Sequence, residues 1–186
     1  MLDTNLLVNF LLIQWKEDKK QKIPEQLKKS KELKEKYIQK KFVNYVSDWN
    51  LLEFRDAVEK LIHEKKLINN GYSINEFKEG REELPLNQSE LDKINKIVSE
   101  VYGNSIFIVR PINYKKLIPI CQKGVSTFDA LLLIQANSIK ECNKFVTRDK
   151  QLIKKFKEKL TNDLPNIDVI SRGEALQLIN NQIYHK

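Results

Sequence analysis

Cysteine is nearly absent from this chain. Its two residues, Cys121 and Cys142, stand at no metal-ligand spacing. That excludes a disulfide framework and leaves both as small core residues of a reducing compartment. Histidine is as scarce: His63 falls on a helix surface and His185 in the last few residues, and neither carries chemistry. Long apolar runs are lacking too. The strongest, Leu6 to Ile13, is far short of the roughly 20 residues of a membrane span. Asp3 precedes it and no lysine or arginine does, which is wrong for a secretion signal. A buried helix in a cytoplasmic protein is the expectation. There is no repeat, low-complexity tail or flexible linker.

Acidic residues are in deficit, 25 against 33 basic ones, for a formal charge of +8 and a pI near 9.3. Such a balance points to a polyanionic partner, most often nucleic acid, or to a lysine-rich proteome. The excess is concentrated. Residues 16–41 hold eleven lysines against five acids. Pro24 suits the first turn of a helix reaching about Lys40, with Leu27, Leu33 and Ile38 as sparse anchors and the rest facing solvent.

The remaining chain alternates between strand and helix signals. Met1 and Leu2 form a strand stub before a helix over Leu6–Trp15. Lys41–Ser47 reads as a strand. Asp48 caps a helix from Asn50 to Lys66 with a stripe of Leu51, Phe54, Val58, Leu61 and Ile62. Asn69–Ser73 reads as a turn, and mostly helical, polar material fills residues 74–104, with Gly103 as a stop. Ser105–Ile112 reads as a buried strand closed by Pro111, followed by a short helix, Tyr114–Cys121, broken at Pro119. A helix from Thr127 to Lys140, a strand over Lys144–Thr147, a basic helix over Lys150–Leu160 and a strand over Pro165–Ser171 follow. Ser171 and Glu174 make a capping box for a last helix. This alternation predicts an α/β protein, a single domain whose central, mostly parallel sheet is covered by helices on both faces.

In such sheets ligands gather at the carboxyl ends of the strands. Asp3 follows the first strand stub and Asp149 follows Lys144–Thr147. Asp129 lies in the first turn of its helix, where Thr127 can cap, and shares a face with Leu132, Leu133 and Ala136. A carboxylate aimed inward is costly without a positive partner. No lysine is an obvious one, whereas Mg²⁺ or Mn²⁺ prefers oxygen ligands. Singly, each acid reads as a helix cap or first-turn acid. Three at one sheet edge suggest a joint role.

The ordered set "LDTNLL", a glutamate early in the second long helix, "FDALLLIQA" and "FVTRD" resembles the PIN domain family. Asp3 and Asn5 match its D-x-N element, Glu53 its helix glutamate, Asp129 its D-A-L helix start, and Thr147 with Asp149 its T-x-D. The resemblance implies a three-layer α/β/α sandwich around a sheet of about four or five strands. Residues 16–41 and 70–104 would be helical insertions, since the chain is longer than compact members. Only two residues precede Asp3, so either the first strand is very short or the true start lies upstream, and "ECN" stands before the fourth element where a glycine is common. Periodicity alone places Glu53 on the solvent side of its helix; the resemblance gives it a role.

The family likeness implies a metal-dependent endoribonuclease. Asp3, Asp129 and Asp149 would hold Mg²⁺ or Mn²⁺, Glu53 would complete the acidic ring, and Asn5 and Thr147 would orient ligands. Cleavage would leave a 5′-phosphate and a 3′-hydroxyl. Arg148 and Lys150 flank Asp149 and would hold the RNA backbone, or are plain surface charges. Partners would be RNA and, for a toxin of a toxin–antitoxin pair, a small antitoxin and a second copy of the chain; a housekeeping RNA processor fits equally. The rival reading is a PIN-like RNA-binding or scaffold protein without turnover. A haloacid-dehalogenase-type hydrolase ranks low, because that chemistry wants an aspartate where Asn5 stands.

Overall fold

The computed structural model describes residues 1–108 and 112–184, with side chains through residue 181. Among the described residues nine α-helices dominate: α1 (Thr4–Asp18), α2 (Lys28–Ile38), α3 (Asp48–Asn69), α4 (Phe77–Glu83), α5 (Gln88–Tyr102), α6 (Tyr114–Gln122), α7 (Thr127–Ser138), α8 (Lys150–Lys155) and α9 (Arg172–Tyr184). Four short strands are described: β1 (Asn44–Val46), β2 (Ser105–Phe107), β3 (Lys144–Thr147) and β4 (Asp168–Ser171). Among the described residues no helix is long and apolar enough to cross a membrane.

Among the described residues the expected three-layer sandwich around a central sheet of four or five strands does not form. Instead there are two separate parallel pairs, β1 with β2 and β3 with β4. The reason lies at residues 1–3. Their backbone pairs with β3: the Asp3 N–H donates to the Val146 carbonyl at 3.0 Å, and the Val146 N–H donates to the Met1 carbonyl at 3.0 Å. The outward groups of Leu2 meet side chains, not a neighbouring strand. The Leu2 N–H donates to Asn44 Oδ1 at 2.8 Å, and Asn50 Nδ2 donates to the Leu2 carbonyl at 3.4 Å. Two asparagine amides therefore take the places that β1 backbone groups would occupy in a continuous ladder.

The strands still divide two cores by their period of two. Leu2, Val146 and Ile170 face a cluster built with α1, α2, α3, α5 and α9, including Phe10, Leu33, Phe54 and Ile94. Met1, Phe145 and Val169 face the other, built on α7 with Leu132, Leu133, Phe156 and Leu160. α7 is apolar almost all round because Ala130 through Asn137 are all buried.

Several expectations change in detail. β2 is not a buried strand: Ile106 and Phe107 are about half exposed, as suits the outer member of a two-stranded pair. Of the rest of that predicted strand, Val109 to Pro111 lie outside the described residues, while the Ile108 N–H donates to the Val46 carbonyl at 2.9 Å. The Tyr114 helix runs through Pro119 and is not broken there. Ser47, not Asp48, caps α3 through the Asn50 N–H. The lysine-rich α2 is less solvent-facing than its composition suggests. Its apolar face is Leu33 and Tyr37, while Ile38 is exposed. Lys34 is itself buried and bridges to Gln14 Oε1 at 2.7 Å and Glu17 Oε2 at 2.8 Å. α5, inside the expected second insertion, buries Ile94, Ile97, Val98 and Tyr102 and packs along α3.

Candidate functional site

The pairing of residues 1–3 with β3 sets Asp3 beside Thr147. Asp3 is buried at the N-terminal end of α1, yet its carboxylate does not cap that helix. It accepts a hydrogen bond from Thr147 Oγ1 at 2.6 Å. The same hydroxyl accepts the Asp149 N–H at 3.0 Å, so Thr147 links the two expected site elements. Asn5 is exposed and its side chain has no hydrogen bond among the described residues.

Glu53 is half-buried, not on the solvent side. Thr4 Oγ1 donates to Glu53 Oε2 at 2.6 Å, and Thr4 in turn accepts from Asn50 Nδ2 at 3.1 Å. Beneath lies Tyr102, whose hydroxyl donates to the Asn50 carbonyl at 3.0 Å. The reason for the correction is the inner face of α3, which is Asn50, Phe54 and Val58. Glu53 lies one turn beyond Asn50 and borders that face. Thr4, Asn50 and Tyr102 were not singled out from sequence. The three-residue spacing of Asn50 and Glu53 was the available signal.

Asp129 is half-exposed and does not point into the apolar face of α7. Ser126, not Thr127, is the cap: its Oγ accepts the Asp129 N–H at 3.1 Å and donates to Asp129 Oδ2 at 2.6 Å. Asp149 caps α8, its Oδ1 accepting from Gln151 N at 2.7 Å and Leu152 N at 3.0 Å. Arg148 and Lys150 are exposed. Arg148 Nη1 donates to Asn9 Oδ1 at 3.0 Å.

Electrostatics tie three of the acids together. Burial, which disfavours the charged form, pushes the Asp3 carboxyl up to about 6; the Thr147 hydrogen bond opposes this, and the charges of Glu53 and Asp129 add to it. Glu53 is also raised, first by burial, against the pull of Thr4, and then by Asp129. Among the described residues none of Asp3, Glu53, Asp129 and Asp149 is ion-paired, although the chain is rich in lysine. Each is held by a hydroxyl or a backbone amide.

No group of three or more His, Cys, Asp and Glu side chains among the described residues is arranged to hold a metal ion. Each of the four carboxylates has its own anchor. The donor chemistry nevertheless suits a hard divalent cation: all-oxygen donors, one of them deeply buried, mutually repelling and without a positive partner.

A scan against protein-family models gives no match to this chain, and a search of curated proteins gives no significant match either.

Proposed function

We propose that this protein is a metal-dependent endoribonuclease of the PIN type, working in the cytoplasm on RNA phosphodiester bonds. The observation that carries the reading is the buried Asp3 carboxylate, which has two acidic neighbours and no cation among the described residues. Folding leaves such a charge uncompensated only at a cost, and a bound cation offsets it.

In this reading Asp3 and Asp129 hold Mg²⁺ or Mn²⁺, with Glu53 at the rim. Asp149 contributes through Oδ2, the oxygen its helix cap leaves free. When bound, such an ion supplies Lewis-acid polarisation of the phosphate and acidifies a water for in-line attack. Thr147 fixes the Asp3 carboxylate and the start of α8 in one relative position. The Thr4–Asn50–Tyr102 chain fixes Glu53. Arg148 and Lys150, exposed beside Asp149, meet the RNA backbone. A toxin would in addition bind a small antitoxin across the acids and pair with a second copy.

The test is cleavage of labelled RNA with Mg²⁺ or Mn²⁺, with EDTA, and with Asp129→Asn. Cleavage that needs the metal and is lost in the variant is expected; cleavage indifferent to both removes the reading. One observation favours an RNA-binding protein without turnover: the four carboxylates do not converge as a preformed metal site. RNA binding with no cleavage at any metal concentration would establish that alternative.

A further inference from the structure

A second like-charged group stands at the same end of the β3–β4 pair, built from arginine. Strands β3 and β4 are parallel and in register, with Thr147 opposite Ser171. Arg148 directly follows β3 and Arg172, directly after β4, opens α9, so both arginines stand at the carboxyl ends of the pair. Neither is ion-paired among the described residues, and both are held by neutral groups. Arg148 Nη1 donates to Asn9 Oδ1 at 3.0 Å, and Arg172 Nη1 donates to Ser30 Oγ at 2.7 Å and to the Gln26 carbonyl at 3.2 Å. Asn9 and Ser30, both buried, complete the chain: Asn9 Nδ2 donates to Ser30 Oγ at 3.3 Å. The result is a continuous path, Arg148–Asn9–Ser30–Arg172, that fixes both cations against their mutual repulsion. Burial, and then the charge of Arg148, holds Arg172 below the usual guanidinium range.

A third cation adjoins them. Lys29 Nζ lies over Gly173, where a Cβ would come within 3.4 Å of it. Lys29 has no ion pair among the described residues either. The nearest acid on α9, Glu174, is turned away, accepting from Ser171 N at 2.7 Å and from Lys157 Nζ at 3.3 Å. Repelling cations fixed by buried neutral partners are arranged for an anion, and a guanidinium pair presents the fork that phosphate accepts.

We infer that Arg148, Arg172 and Lys29 form a phosphate-binding subsite for the RNA backbone, one that α2 of the lysine-rich insertion completes. This rests on the RNA reading above and assigns the insertion a place in the substrate path. Asn9 and Ser30 are positioning residues, holding the guanidinium groups and not touching RNA.

The test separates binding from cleavage. Anisotropy of a fluorescein-labelled oligouridylate is measured in EDTA over a series of KCl concentrations, for Arg148→Gln, Arg172→Gln, Lys29→Gln and, as a remote charge control on α3, Lys60→Gln. Each subsite variant is expected to weaken binding roughly tenfold and to lower the log–log salt slope by about one, whereas the control stays within about twofold. Lys29→Gln removes charge without removing a hydrogen bond seen here, so it remains informative if Arg172→Gln fails to fold. Arg172→Lys should restore part of the binding. Subsite variants that behave like Lys60→Gln, or wild-type protein that fails to bind at the lowest salt, overturn the inference. Arginine-dependent binding with no cleavage in Mn²⁺ supports the subsite while removing the nuclease reading. Undiminished cleavage with control-like binding does the reverse.

Discussion

The acidic and the basic groups flank the same residue, Thr147, and are built in opposite ways. Asp3, Glu53 and Asp129 are held one at a time, by Thr147, Thr4 and Ser126 from different parts of the chain. Arg148 and Arg172 share one unbroken polar chain. The two arginines of the basic group are consequently tied in place by that chain. The acidic group is preset in charge but not in shape, and a cation would have to draw its oxygens together. Under the proposed function, preorganisation on one side and adaptability on the other would let the site grip a phosphate backbone before it recruits its ion.

The most severe way to break the comparison is to remove an acid. Asp129→Asn should lower RNA cleavage by about a hundredfold or more, since even outer partners of metal ligands commonly cost tenfold to a hundredfold; a gel assay with labelled RNA reads it. Asp3→Asn should do the same to cleavage but the reverse to stability. The folded carboxyl titrates at about 6 against 3.8 for the unconstrained group. A raised acid favours the folded state below about pH 4 and loses that contribution as pH rises to about 6. Above that window Asp3→Asn should therefore stabilise the metal-free protein, by on the order of 3 kcal/mol. Denaturant melts at pH 7.5 and pH 3.5 check this, with the gain present at the first and gone at the second. By the same linkage, added Mn²⁺ should raise the wild-type Tm at pH 7.5 and much less at pH 5, and should not raise that of Asp3→Asn.

A smaller effect separates the two designs. Thr147→Val leaves Asp3 buried without its donor and should cost roughly 1–3 kcal/mol at neutral pH. It should also move the acid limb of the pH–cleavage profile upward, because the lost hydrogen bond favours the charged form. Smallest is the exposed pair Lys60–Asp56 on α3, where Asp56→Asn should change stability by less than about 0.5 kcal/mol.

How much of this was legible depends on whether the deciding signal is local. The capping box of Ser171 and Glu174 is written within four residues and forms as read. The all-round apolar character of α7 likewise marks a buried helix. Glu53 was misplaced because a stripe begun at Leu51 hides Asn50, the residue that carries the buried polar network. Arg172 reads from sequence as one more charge in a first helical turn. Only the path through Asn9 and Ser30, a tertiary fact, connects it to Arg148. The single central sheet failed for a similar reason. Nothing in "KFVNYVS" announces that the Asn44 side chain will reach across and occupy the Leu2 amide.

That intrusion has a mechanical consequence. Between β1 and residues 1–3 the hydrogen bond described is to the Asn44 carboxamide, which rotates about its own bonds and is not locked into a pleated backbone. Thermal opening should begin along this line, with the Leu2 amide exchanging its proton for deuterium well before those of β3 and β4. Asn44→Ala should widen that difference in exchange rate while leaving the β3–β4 pair intact.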